Sequence, residues 1–218
     1  MKASFSPVSL KNQVYQNIID MICDGRLGTD IMITEKQMID HFQVSKAPVR
    51  EALIQLCSED VLRSIPRHGY QVVKIDSKTI QDLIMLRQYL ELSNLPIAME
   101  SMTSERLMEL KRLNEQRLEP SAGKTTSAAW NRNRDFHMTL IRYGGNAQVE
   151  KAMSSTLAAC NRAYAQIYNQ KRSIIAPASR NFHDLIVQAI EQHDVFEAHR
   201  FLKEDILFMN AWIIDGDQ

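Results

Sequence analysis

The chain has 218 residues, 44% of them hydrophobic, and its 26 Lys and Arg are matched by 26 Asp and Glu, so the formal net charge is zero. That length suits one large or two modest domains, and the charge balance excludes a polybasic chromatin-type protein: an anionic partner must be met by local placement of charge. No apolar run approaches 18 residues and no apolar h-region follows the amino terminus, so neither a membrane span nor a secretion signal is predicted, and three widely spaced cysteines (Cys23, Cys57, Cys160) point to a reducing, cytoplasmic setting with Cys23 and Cys57 as buried thiols.

Leu10, Val14, Ile18, Ile19 and Ile22 recur at helical spacing and predict a first amphipathic helix closed by Asp24-Gly25. A short strand then leads to Thr34-Glu35-Lys36-Gln37, which reads as a capping box: Thr34 caps and Gln37 reaches back. The helix it opens has Met38, Ile39 and Phe42 on its apolar face. After a break at Gln43-Val44, Ser45 is expected to cap a third helix with its side chain. Pro48 falls in that helix's first turn, where a missing N–H costs nothing. Ala52, Leu53 and Leu56 form its buried stripe. Lys46 and Arg50 lie four apart and share a face near the helix start, where a helix in a major groove meets phosphates and base edges.

Leu62 to Ile65 and Tyr70 to Lys74 are short extended segments. The turn between them, Pro66-Arg67-His68-Gly69, puts a cation and an imidazole at a hairpin tip, with Gly69 where φ > 0 is needed. The order predicts a winged helix-turn-helix over residues 1–75. A generic pair of packed helices with solvated charges is the plainer reading of two short helices, and the basic wing tip argues against it. Residues 45–75 carry five cations and three anions, a local net charge of +2 that a dimer would double.

Beyond Lys74-Ile75-Asp76-Ser77 only helical periodicity remains, which assigns residues 77–218 to a second domain. Asp76 or Ser77 caps a helix whose buried side is expected to hold Ile80, Leu83, Ile84, Leu86 and Leu90, and Pro96 is expected to kink or interrupt it. A second helix opens at Thr103-Ser104-Glu105 and runs through Leu107, Leu110 and Leu113. Residues 119–126 read as a loop. A third helix spans about 127–142, and a fourth spans about 147–168 after Gly144-Gly145-Asn146. A break at 175–179 precedes a fifth at about 179–192, and Asp194 caps a sixth ending near Ile214. The fold class is therefore mostly α: an amino-terminal winged helix-turn-helix plus a carboxy-terminal all-α six-helix bundle.

Asn133 and His137 are four apart on the third of these helices, His183 lies on the fifth and Asp205 on the sixth. Such an N/O set converging from three helices can hold a divalent metal, zinc or nickel by the preference of imidazole. Histidines at helical spacing are otherwise packed or surface residues, or members of a metal-free polar pocket. Arg87 is a cation that either pairs with Glu91, four residues on, or meets an acid ligand. Arg162 and Tyr164 are further candidates for the cavity.

The run ITEKQMIDHFQVSKAPVREALIQL, followed by VLRSIPRHGYQV, resembles the amino-terminal domain of GntR-type bacterial transcription regulators over about residues 9–75. The resemblance implies operator contacts by Lys36, Ser45, Lys46, Pro48 and Arg50, and a wing tip of Arg67, His68 and Gly69 in the minor groove. Lys36 and Lys46 stand where that family often has Arg, and Lys cannot make the planar bidentate contact to guanine. The runs NRDFHMTLIRYGGN and SRNFHDLIVQAIEQHDVFEAHRFLKEDI resemble the effector-binding FCD domain of the family's FadR branch, in its shorter, six-helix, VanR-like form, over about residues 80–215. In those relatives an Asp and three His hold a metal that helps bind a carboxylate ligand. Residue by residue the positions are Asn133, His137, His183 and Asp205, with Asn133 in place of the usual Asp and Asp205 in place of the last His. Arg87 matches the Arg of the family's R-x-x-L-E run.

The expected function is that of a homodimeric, sequence-specific DNA-binding regulator, a repressor, reading a palindromic operator in double-stranded DNA. A small carboxylate effector in the helical domain, bound with a divalent metal, is expected to control its affinity, with no membrane association and no catalysis. A helical metalloenzyme using His137, His183 and Asp205, and a protein–protein adaptor carrying a winged helix, are the competing readings. The sequence offers the enzyme no nucleophile or acid–base pair beside those residues.

Overall fold

The computed structural model describes residues 9–118, 126–170 and 181–214. Helix α1, Leu10–Cys23, is capped by Ser9, whose side chain accepts from the Asn12 N–H. It buries Val14, Ile18 and Ile22, as its spacing predicts. Strand β1, Met32–Ile33, leads into α2, Glu35–Phe42, with both halves of the Thr34–Gln37 capping box formed. Helix α3, Lys46–Ser58, buries Val49, Ala52, Leu53 and Leu56. Ser45 is at its N-cap in extended conformation, but its side chain makes no capping bond, contrary to expectation.

Strands β2, Leu62–Ile65, and β3, Gly69–Val72, form the hairpin, and β3 lies between β1 and β2 in one antiparallel sheet. Gly69 is required twice over. Its φ is +117°, and a Cβ there would stand 2.3 Å from the Ile33 carbonyl oxygen, where β1 pairs with β3. Cys57 is only half-buried, unlike Cys23, because α3 turns that side partly outward.

By internal contacts the chain divides into two units, Met1–Lys74 and Ile75–Gln218. The second is built from α4 (Ser77–Glu100), α5 (Ser104–Leu118), α6 (Thr126–Tyr143), α7 (Ala147–Gln170), α8 (Phe182–Glu191) and α9 (Val195–Ile214). Helix α4 packs against α6, α7 and α9, and α8 packs against α9 and α5. Ile84, Leu95, Leu110, Phe136, Ala163, Ile186, Leu202 and Ile206 fill the core. The loop expected at 119–126 lies outside the described residues except for Thr126, which already belongs to α6; the break at 175–179 also lies outside them, and α8 begins at Phe182 after an Asn181 N-cap.

Two expectations for α4 need correction. Of the two outcomes expected at Pro96, interruption does not occur: the helix runs on to Glu100. One backbone hydrogen bond is lost near the carboxy-terminal end, where buried Leu95, Ala98 and Met99 hold the last turns in the core. Leu86 is 40% exposed, while Arg87, Glu91 and Asn94 occupy the buried face. Asn94 donates to the carbonyls of Leu140 and Ile141, pinning α4 to the end of α6. Gly144 leaves room for that amide, since a Cβ there would meet Asn94 Oδ1 at 1.9 Å. Gly144→Ala is therefore expected to destabilise the helical unit by about 1–3 kcal/mol, as overpacking does. Urea unfolding would read it, and an unchanged midpoint would show that the Asn94 lock contributes nothing.

Candidate functional site

The winged helix presents one cationic face. Lys46 and Arg50 on α3 are both exposed, and both reach toward Glu35 at the start of α2, at 3.9 and 4.0 Å. Tyr70 on β3 donates to the same carboxylate at 3.4 Å. Exposed ion pairs of this length are worth little, so the two cations remain available to a stronger anion. Lys36 and Ser45 are exposed beside them in sequence, and Pro48 is half-buried in the first turn of α3. Arg67 and His68 are exposed at the hairpin tip, Arg67 at φ +67°.

The helical unit holds a buried polar centre built from four helices. Glu91 on α4 is buried with two partners: Arg87 Nε donates to its Oε1 at 2.7 Å, and His137 Nδ1 on α6 lies 2.6 Å from its Oε2. The other ring nitrogen of His137, Nε2, faces Asp205 Oδ2 on α9 at 3.2 Å and makes no hydrogen bond. His183 Nε2 on α8 lies 3.7 Å from Asp205 Oδ1. Phe136 stacks on the His183 ring at 3.9 Å and fixes its plane. One ligand atom from each of His137, His183 and Asp205 lies within 4.8 Å of the others. Asn133 sits one turn before His137 on α6 and is half-buried. Tyr164 on α7 is buried and stacks on Trp130 at 5.0 Å. Among the described residues Arg87 Nη2, Tyr164 Oη and Trp130 Nε1 are buried and make no hydrogen bond of normal geometry, and Arg87 acts on the Tyr164 hydroxyl. Arg162 is half-buried and acts electrostatically on Cys160, whose thiol is pushed up to about 11 by burial.

The charges in the centre sustain one another. Burial alone would strip the proton from His137, but the Glu91 carboxylate, aided by Asp205, outweighs it and raises the imidazole to about 9. Burial likewise pushes Asp205 up, yet His137 and His183 hold it well below the usual carboxylate range. Glu91 is kept low against its own burial by Arg87 and His137.

Sequence reasoning places Glu91 as the partner of Arg87 and misses its contact with His137, 46 residues away. It also misses the Trp130 shelf. A signal for the first was present: Arg87, Glu91 and Asn94 are a polar stripe at helical spacing on the same face as apolar Ile80, Ile84, Leu95 and Ala98.

Residues 10–72 match the family of bacterial regulatory proteins called gntR, and residues 82–207 match the FCD domain. The chain is 24% identical over 221 residues to the HTH-type transcriptional regulator YcbG of Bacillus subtilis, covering 95% of this chain and 91% of that protein. It is 27% identical over 133 residues to the HTH-type transcriptional regulator McbR of Escherichia coli, covering 61% and 60%. Among solved structures, E. coli McbR/YncC aligns with a TM-score of 0.80 at 21% identity over 97% of this chain and 100% of that one. A putative transcriptional regulator GntR from Rhodococcus sp. RHA1 aligns at 0.73 and 17% identity over 94% and 97%. At these identities the two structures speak for the fold alone.

Proposed function

The chain belongs to the gntR family of bacterial regulatory proteins and carries its FCD domain, and from that premise we propose how it is controlled. It is a DNA-binding transcriptional regulator and not an enzyme. Control comes from a divalent metal, zinc or nickel, held by Nε2 of His137, Nε2 of His183 and the Asp205 carboxylate. A small carboxylate effector shares that metal. When bound, the metal supplies a fixed positive charge that an effector carboxylate can meet. Arg87 Nη2 and Tyr164 Oη are the donors left over for the effector's other oxygens.

The convergence of three ligand atoms in a buried site, one of them a His137 nitrogen with no hydrogen bond, is the observation that carries this reading. Ligand atoms about 2.0–2.1 Å from a tetrahedral zinc stand roughly 3.3 Å apart; here each ring faces its own oxygen of Asp205, Oδ2 at 3.2 Å and Oδ1 at 3.7 Å, and the three ligand atoms lie within 4.8 Å of one another. Asn133, one turn away, is the proposed neutral fourth donor.

We further propose a homodimer, acting as a repressor on a palindromic operator. Adjacent helices α4 and α7 present large and small outward residues side by side: Met85, Leu86, Tyr89 and Ile97 on one, Ala152, Ser155 and Ala158 on the other. A second copy related by a twofold axis can set the large stripe into the small one. Effector bound in the bundle then shifts operator affinity only by its difference in affinity for two arrangements of the dimer.

Metal analysis tests the control centre. Protein prepared without chelator or metal-affinity tag should carry, or take up from micromolar zinc or nickel, about one ion per chain. His137→Ala and His183→Ala should lose it while staying folded. Wild-type protein that takes up neither metal would overturn the metal reading and leave a metal-free polar pocket.

A further inference from the structure

We propose that Glu91 is the positioning residue that makes His137 a metal ligand and links the metal site to the anion-binding guanidinium of Arg87. The proposal rests on the metal reading above. Its basis is the sharing of one buried carboxylate. Glu91 is 3% exposed and turns one oxygen to each of two neighbours, Oε1 to Arg87 Nε and Oε2 to His137 Nδ1.

An ionised carboxylate only accepts hydrogen bonds. A neutral His137 facing it must therefore carry its proton on Nδ1, and the lone pair falls on Nε2, the nitrogen that faces Asp205 and His183. Asp205 faces Nε2 at 3.2 Å without a hydrogen bond of normal geometry, so among the described residues the formed contact is the 2.6 Å one to Glu91 at Nδ1. The Arg87 contact matters for the same reason. It occupies the second oxygen, keeps the carboxylate anionic and stops it from rotating away from the ring. An anionic partner on Nδ1–H also makes Nε2 a better donor to a cation. The bond joins α4 to α6, so a cation drawn onto His137 pulls through Glu91 on the helix that bears Arg87. Nη2 of Arg87, which makes no hydrogen bond of normal geometry among the described residues, is in turn the group on α4 that an effector carboxylate would meet.

Glu91→Gln separates these functions. The amide nitrogen can donate to Nδ1 and reverse the tautomer, and the amide oxygen can accept only as a neutral group. The test is titration of chelator-treated protein with cobalt(II), followed by its visible absorption, with zinc in competition. Wild type should give a saturable spectrum at one ion per chain. Glu91→Gln should bind about 10–100-fold more weakly, the effect of losing such a partner, with altered band positions or intensities. If Arg87, left without its anion, prevents folding, Arg87→Met/Glu91→Gln removes both charges, and the same loss of cobalt affinity is expected. A folded variant with wild-type cobalt affinity and spectrum, even one of lowered melting temperature, would reduce Glu91 to a structural ion pair and overturn the proposal. Failure of the wild-type protein itself to bind cobalt or zinc would strike the metal reading instead.

Discussion

Replacing Lys46 and Arg50 together by alanine is expected to weaken binding to a preferred duplex by about 10²–10⁴-fold for each half-site occupied, because each base or phosphate contact of this kind is worth about 1–3 kcal/mol. The duplex would be one selected by the wild-type protein from a random pool. The loss should come from contacts and not from unfolding: both side chains are mostly exposed, 68% and 62%, and alanine suits a helix interior. Among the described residues the ion-pair partner they lose is Glu35, at a distance where an exposed pair contributes little. Salt dependence discriminates further. The slope of log affinity against log salt should fall by about 0.9 for each phosphate contact removed. A dimer on two half-sites should bind as two chains per duplex and lose the contacts twice. Unchanged affinity and slope would mean that α3 does not lie in the groove, and would return the adaptor reading for the winged helix.

The winged helix was legible because its signals are local. A capping box, a buried stripe on α3 and a glycine at a hairpin tip each depend on a few adjacent residues, and Thr34, Leu53 and Gly69 take their expected places. Ser45 shows the limit of that logic, because cap position follows from sequence while the hydrogen bond depends on a rotamer. The helical unit was legible in number and order of helices and less so in which faces are buried. On α4 the rule that buried means apolar put Leu86 inside, but the core at that level is a charge network, and Arg87 and Glu91 belong there. His137, His183 and Asp205 were selected from helical spacing and from resemblance, and the fold brings all three together. Glu91 was not selected as a member of that centre, because a contact across 46 residues has no periodicity to betray it.

The metal-free protein is expected to lose stability as pH rises from about 6.5 to about 9, an unusual direction for a chain with buried carboxylates. His137 is raised in the folded state to about 9. A raised pKa means that the folded form holds its proton more tightly, so the contribution is complete below the unfolded value near 6.5 and is lost as pH climbs through 9. Glu91 and Asp205, both held low, act oppositely: their contribution is present above the ordinary carboxylate range and is lost on acidification. The groups around His137 are Glu91 and Arg87 from α4, His183 from α8 and Asp205 from α9. At about 1.4 kcal/mol per pH unit the alkaline loss is at most about 3.5 kcal/mol. That corresponds to roughly 7–14 °C in melting temperature for a domain of this size. A metal on Nε2 must displace the proton that sustains this stability, so zinc binding near neutral pH should release a proton, and zinc stabilisation should grow as the pH rises. Melting curves of chelator-treated and zinc-loaded protein between pH 5 and 9.5 would show two profiles that diverge toward alkaline pH, and His137→Gln should flatten both. A metal-free profile that is flat from 6.5 to 9 would mean that His137 is neutral between its two carboxylates, and zinc would then bind without competing against a proton.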